Sequence, residues 1–120
     1  MKISVSKAMG VVDIFNTLIN VKLDFKLSYR ITKIINQVSP KLKTFHNKHT
    51  ALVLKYGVKD EKGKMEVPEA KREEFSKELM PALMEEFEVN IDLIPLELFE
   101  KSEIKMSPEE LILIKDFIQE

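Results

Sequence analysis

Residues Leu27 to Tyr56 read LSYRITKIINQVSPKLKTFHNKHTALVLKY, and their spacing decides the fold. Leu27, Ile31, Ile35, Val38, Leu42, Phe45, His49, Leu52 and Tyr56 follow one another at steps of three and four. That is a single apolar stripe on a helix about thirty residues long. Pro40 falls in its middle, where it removes a backbone donor and crowds the preceding turn. The stripe nevertheless keeps its phase across Pro40, and an intervening loop would shift it. The spacing therefore predicts one long kinked helix over 28–56, bent near Pro40, with Leu42, Phe45 and Leu52 buried. Gly57 stands where a helix C-cap glycine belongs.

Upstream, Ala8, Met9, Val11, Val12, Phe15, Leu18 and Ile19 recur at helical spacing behind a capping Ser4 or Ser6. Between the two helices the period changes. Val21, Leu23, Phe25 and Leu27 alternate with Lys22, Asp24 and Lys26, the pattern of a half-buried strand or extended linker. Phe87, Val89, Ile91 and Leu93 alternate with Glu88, Asn90 and Asp92 in the same way. The outward residues of the first segment are mostly basic and those of the second acidic. The two are therefore expected to pair as neighbouring strands.

Downstream of Gly57, Asp60–Lys64 (DEKGK) reads as a turn, the tip of a small hairpin joining Val58 to Met65–Val67. Pro68 suits the first turn of a further helix, whose face is Phe75, Leu79, Leu83 and Phe87 and which Pro81 should kink or break. Pro95–Lys101 fits a short helix. Ser107-Pro108-Glu109-Glu110 has a capping serine, a proline at the first helical position and a glutamate closing a capping box. The helix behind it carries Leu111, Ile112, Leu113, Ile114, Phe117 and Ile118, apolar nearly all round. The reading is a mainly α (α+β) single domain over 1–120. A long kinked central helix packs with three or four shorter helices and a small two-stranded sheet.

Charge is split by position. Residues 1–59 carry eleven Lys/Arg against two acids, a net of +9, and residues 60–120 carry eight against eighteen, a net of −10. Such an asymmetry marks an interaction surface, or two halves that fold against each other. The 44 % apolar content is enough for a core. There is no cysteine, which excludes disulfides, thiolate metal sites and a cysteine nucleophile. No apolar run is long enough for a membrane span. The N-terminal stretch lacks the form of a signal peptide, since Asp13 and Asn16 interrupt it. A cytoplasmic protein is expected.

The segments Lys22–Tyr29, Lys55–Gly57, Asp60–Gly63, Glu74–Leu79, Glu88–Ile91 and Ser107–Leu111 (KLDFKLSY, KYG, DEKG, EFSKEL, EVNI and SPEEL) occur in an order that resembles a group of short proteins of tailed bacteriophages and prophages, a domain of unknown function. The resemblance covers most of the chain. It implies a phage or prophage context, in the host cytoplasm or with the virion, and no reaction. Pro40 and Pro81 depart from the uninterrupted helices of that pattern.

Candidate sites divide by chemistry. His46 and His49 are the only histidines, at i, i+3. A stable metal site needs two further ligands, and no carboxylate lies between residues 25 and 59, so a buried or interfacial imidazole is the better reading. Arg30, Lys33, Lys41 and Lys48 share helical spacing and are the candidate nucleic-acid contacts. Against that, only one arginine is present there and no aromatic platform for stacking bases is evident in the sequence. Glu73, Glu74, Glu78, Glu85, Glu86 and Glu88 form an acidic stretch that imitates a nucleic-acid backbone or, more simply, solvates a helix. Glu109 and Glu110 sit in a first helical turn, where negative charge complements the dipole. No phosphate loop, nucleophile elbow or Ser/His/Asp order is present.

The expectation is a non-enzymatic interaction protein without cofactor or metal, acting as an assembly accessory or as an inhibitor of a host system. Ile112, Ile114, Phe117 and Ile118 would bind the partner, either another protein or a second copy in a homo-oligomer, with a dimer favoured. A nucleic-acid-binding module using the basic half is the rival class.

Overall fold

The computed structural model describes residues 1–18 and 20–120. Ile19, expected on the apolar face of the first helix, lies outside the described residues. The central stripe forms the helix that its spacing predicts. Helix α2 runs from Phe25 to Tyr56 and passes unbroken through Pro40. Its first turn is capped by Asp24, whose carboxylate accepts from the Lys26 N–H at 2.9 Å. Pro40 and Asn36, whose carbonyl the proline leaves without its helical donor, both lie on the exposed side, where the group is open to solvent. At the other end the Gly57 N–H donates to the Val53 carbonyl at 2.7 Å. Gly57 is extended rather than left-handed. Its lack of a side chain matters for space, because a Cβ there would stand 2.3 Å from the Val53 oxygen.

The core gathers on the first half of α2. Leu27, Ile31, Ile34 and Val38 are buried against Ala8, Val11, Ile14 and Phe15 of helix α1 (Val5–Asn16). Ser4 caps α1 by accepting from the Lys7 N–H at 3.1 Å. Val89, Ile94, Leu98, Phe99, Ile114 and Phe117 from the second half of the chain close the same core. The second half of α2 projects beyond it. There its companions are the hairpin β2 (Val58–Lys59) and β3 (Met65–Glu66) and helix α3 (Arg72–Met84), which is entered through a 3-10 turn over Glu69–Lys71. The hairpin tip is as the sequence implies. Asp60 accepts from the N–H groups of Lys62 and Lys64 at 2.8 and 2.9 Å, and Gly63 takes a positive φ of 78°. The projecting arm makes the molecule long, 50 × 30 × 24 Å. Its radius of gyration is 17.4 Å, against about 14 Å for a compact chain of this length.

The expected pairing of Val21–Leu27 with Phe87–Leu93 does not form. Strand β4 (Glu86–Glu88) pairs instead with β1 (Lys2–Ser4) at the N-terminus, antiparallel, with Lys2 opposite Glu88 and Ser4 opposite Glu86. The physical reason is the Asp24 cap. It takes Phe25–Leu27 into the first helical turn, where Leu27 is buried and Phe25 faces outward. Residues 89–93 still run beside α2, held by its side chains. The Gln37 side chain accepts from the Asn90 N–H at 2.8 Å and donates its amide to the Asn90 carbonyl. Arg30 donates to the Leu93 carbonyl at 3.0 Å. One glutamine thus satisfies both backbone groups that a neighbouring strand would have met.

Two further expectations are narrowed. Pro81 does not break α3, which continues through it. The last helix, α5 (Pro108–Ile114), has the full Ser107–Glu110 capping box but is only seven residues long. The chain then makes a 3-10 turn over Lys115–Phe117 and ends in strand β6 (Ile118–Gln119), parallel to β5 (Ile94–Pro95), with helix α4 (Leu96–Lys101) following β5. This early ending turns Phe117 into the core. Gly10 of α1 lies under α5, where a Cβ would come within 3.3 Å of the Leu113 side chain.

Two substitutions test this packing by urea denaturation. Leu27→Ala, at a fully buried site, should cost about 2–5 kcal/mol. Gly57→Ala should cost about 1–3 kcal/mol, because its methyl meets backbone that cannot rotate away.

Candidate functional site

Among the described residues, a large cavity opens where the thick core gives way to the arm. The apolar stripe of α2 is covered by α1 at its start and by α3 near its end. Between them Leu42 and Phe45 are only half-buried, where the stripe alone implied full burial; Leu52 is buried. A cleft of roughly 590 Å³ remains there, lined by Met9, Val12 and Asp13 of α1, Leu42, Phe45, His46 and His49 of α2, and Leu79 and Leu83 of α3. Its walls are apolar apart from one carboxylate and two imidazoles. Met80 and Met84, on the same helix as Leu79 and Leu83, are exposed. Methionines adapt to varied partners because the side chain is unbranched and polarizable.

The outer end of the arm is stiffened by aromatic and ionic contacts. His49 lies between Phe45 and Phe75, with ring centroids at 6.2 and 5.8 Å, and Phe75 meets Tyr56 edge-on at 6.4 Å. His49 is thus one ring of an aromatic cluster joined by tilted and edge-on contacts. Among the described residues no group of three or more His, Asp or Glu converges as a metal site. Lys55 joins α2 to Glu78 of α3 at 3.0 Å. That hydrogen bond holds the Glu78 carboxyl below its ordinary value of 4.5 and raises the Lys55 ammonium above 10.5.

Part of the split charge is paired inside the chain. The N-terminal ammonium meets Glu88 at 2.8 Å, Lys7 pairs with Asp116, Lys33 lies 4.0 Å from Asp92, and Lys55 holds Glu78. Each of these pairs joins the basic first half to the acidic second. Hydrogen bonds from the terminal ammonium and from Lys7 hold the carboxyls of Glu88 and Asp116 below their usual values.

A second, smaller notch of roughly 240 Å³ lies at the start of α2. Phe25, Lys26, Tyr29, Arg30, Lys33, Ile34, Ile91 and Asp92 line it. Phe25 is 81 % exposed and Tyr29 57 % exposed. Their rings are near-parallel, 10° apart in plane with centroids at 6.4 Å, and the Lys33 ammonium sits 5.5 Å from the Tyr29 ring centre. An aromatic platform is therefore present, contrary to the reading of the sequence. Reading Val21–Leu27 as a strand hid it. Period two puts Phe25 and Leu27 on one face, whereas a helix sets them roughly 160° apart.

The expected site residues are distributed as follows. Arg30 and Lys33 meet at the notch. Lys41 and Lys48 are exposed further along α2, and all four fall within roughly 80° of helical arc. Ile114 and Phe117 are fully buried in the chain's own core, and Ile118 is half-buried in β6. Of the four residues expected to meet a partner, only Ile112, 61 % exposed, stands open to solvent, beside the exposed Leu111. The cleft had no signal in the sequence beyond the stripe itself, because a stripe does not show which part of it goes uncovered. Compared with models of protein families, with curated proteins and with solved structures, the chain matches none.

The Lys55–Glu78 pair gives a pH signature. Its contribution to stability is complete above the ordinary glutamate range and is lost as pH falls through the lowered Glu78 value. At the alkaline end it is lost as pH rises through the raised Lys55 value. Glu78→Gln should therefore narrow the stability gap between pH 6 and pH 3, measured by thermal unfolding, and added salt should shrink the effect because both groups face solvent.

Proposed function

We propose that this protein is a non-enzymatic interaction protein, of the phage and prophage kind its motifs resemble, working as an assembly accessory in the host cytoplasm. The observation that carries the reading is the apolar cleft between α1, α2 and α3. It has the size and the mostly apolar lining of a binding site, with few polar groups. The motifs behind the resemblance lie in local structure, as the end of α2, the hairpin tip and the α5 capping box. They support the context and say nothing of a reaction.

The alternative of a host-system inhibitor acting by nucleic-acid mimicry has less support. Mimicry needs unpaired negative charge gathered on one face. Of the acidic stretch, Glu73 pairs with Lys77 at 3.3 Å, Glu78 with Lys55, and Glu88 with the N-terminus.

The occupant that fits the cleft best is a second copy of the chain. Leu111 and Ile112 of α5 are exposed, and α5 packs on α1 through Leu113 and Gly10. Met9, the residue before Gly10 in α1, lines the cleft. Knob and cleft thus lie side by side on α1, so a two-fold axis sets each copy's α5 into the other's cleft and closes a dimer. Glu109, at the start of α5, would then approach the helix that carries Lys41 and Lys48 and has no acid between residues 25 and 56. Asp13 is the opposing charge on the cleft wall.

Sedimentation velocity at micromolar concentration tests this. The chain should run as a dimer, and Ile112→Glu and Met9→Glu should each weaken association at least tenfold with the fold retained by circular dichroism, since both side chains reach solvent. A strictly monomeric wild-type chain would remove the second copy as occupant.

A further inference from the structure

The notch at the start of α2 is chemically unlike the cleft, and nothing in the proposed assembly role uses it. We propose that it binds single-stranded nucleic acid, with one base stacked on Phe25 and the flanking phosphates met by Lys26, Arg30 and Lys33.

The argument begins with exposure. A phenylalanine that is 81 % exposed at the first position of a helix leaves a large apolar face in water. Capping and packing both proceed without it: Asp24 supplies the cap and Leu27 the burial. Phe25, Tyr29 and Lys33 form a column at i, i+4, i+8. The Lys33 ammonium approaches the Tyr29 ring from one side while Phe25 stacks near-parallel to that ring. Phe25 is the more exposed of the two rings and so the one open to a flat ligand. Every base offers a π-face, and stacking on an aromatic side chain is tolerant of sequence.

Charge fixes the ligand class. Lys26, Arg30 and Lys33 line the notch with Asp92 as the one acid among its lining residues. Lys33 and Asp92 are 4.0 Å apart and both exposed, a pair that water screens easily. Asp24 lies beside Lys26 and is engaged with the Lys26 N–H. Arg30 spends one donor on the Leu93 carbonyl and keeps the others of its planar fork for phosphate oxygens. The notch is too small for a cofactor-sized molecule, which needs about 300 Å³ or more, so it fits one base at a time. Lys41 and Lys48 continue the same face of α2 and appear in no ion pair among the described residues. From Lys26 to Lys48 the helix rises about 33 Å, a track for several nucleotides of backbone. An acidic peptide is the competing polyanion. It would use the lysines and leave the Phe25 ring unused.

Fluorescence anisotropy with a labelled twelve-nucleotide oligo-dT decides the matter, with a duplex of equal length and a twelve-residue polyglutamate peptide as the other probes. The expected result is binding of the single strand at 50 mM salt, weaker binding of the duplex, and weaker still of polyglutamate. Phe25→Ala should weaken single-strand binding about tenfold or more, with unchanged circular dichroism and thermal midpoint because the ring lies outside the core. Lys26→Ala should weaken it too and flatten the plot of log K against log salt by about 0.7. No binding at 50 mM salt, equal affinity of Phe25→Ala and wild type, or polyglutamate binding as tightly as the oligonucleotide would each overturn the proposal.

Discussion

Burial of one face of α2 is the constraint on which everything else depends. A helix of thirty-two residues cannot be stable alone on propensity, least of all with a proline at its centre. It persists because Leu27, Ile31, Ile34 and Val38 are removed from water by α1, by the 89–99 segment and by the chain end at Ile114 and Phe117. Those partners come from both termini of the sequence, so the fold closes only when the chain has returned to its start. The β1–β4 pairing records that closure: the N-terminal strand lies against a strand more than eighty residues away, and the terminal ammonium meets Glu88.

The same constraint explains where the molecule is incomplete. One core, built from a chain of 120 residues, covers about half of so long a helix. The remainder is covered by the β2–β3 hairpin and by α3, a helix of thirteen residues that buries only Ala82 fully. A cleft at the junction follows from the mismatch in length between α2 and the elements available to cover it. Its apolar lining is the continuation of the core stripe, left without an intramolecular partner. Some of the opposed charges, by contrast, are paired within the chain. The ion pairs between the two halves hold chain segments together and leave exposed lysines along one face of α2.

The two open surfaces differ in kind because α2 changes role along its length. Over its first three turns the helix shows solvent two aromatic rings and three cations on the side away from the core. At its centre it shows the core-type face itself. A helix that is buried on one side and free on the other can present both, and the Asp24 cap, by setting the phase from residue 25 onward, determines which residue falls on which side.

Much of this was legible in the amino-acid order. Local sequence alone placed α2 through Pro40, a serine cap at Ser4 or Ser6, the hairpin turn at Asp60–Lys64, the short helix after Pro95 and the Ser107–Glu110 capping box, because each depends on residues within a few positions of one another. The strand partner of β4 was not legible. Lys2–Ser4 is too short to show a period, and strand pairing is settled by which distant backbone is free. Phe25 was misplaced for a related reason: alternation over seven residues fits a strand as well as it fits a linker ending in a cap. Ile114 and Phe117 were read as partner-facing because an apolar helix end looks the same whether the chain or another molecule covers it. Sequence fixes local geometry through short-range hydrogen bonds and side-chain spacing. Only the tertiary structure decides which apolar surface is left over, because that depends on the lengths and directions of elements that meet from opposite ends of the chain.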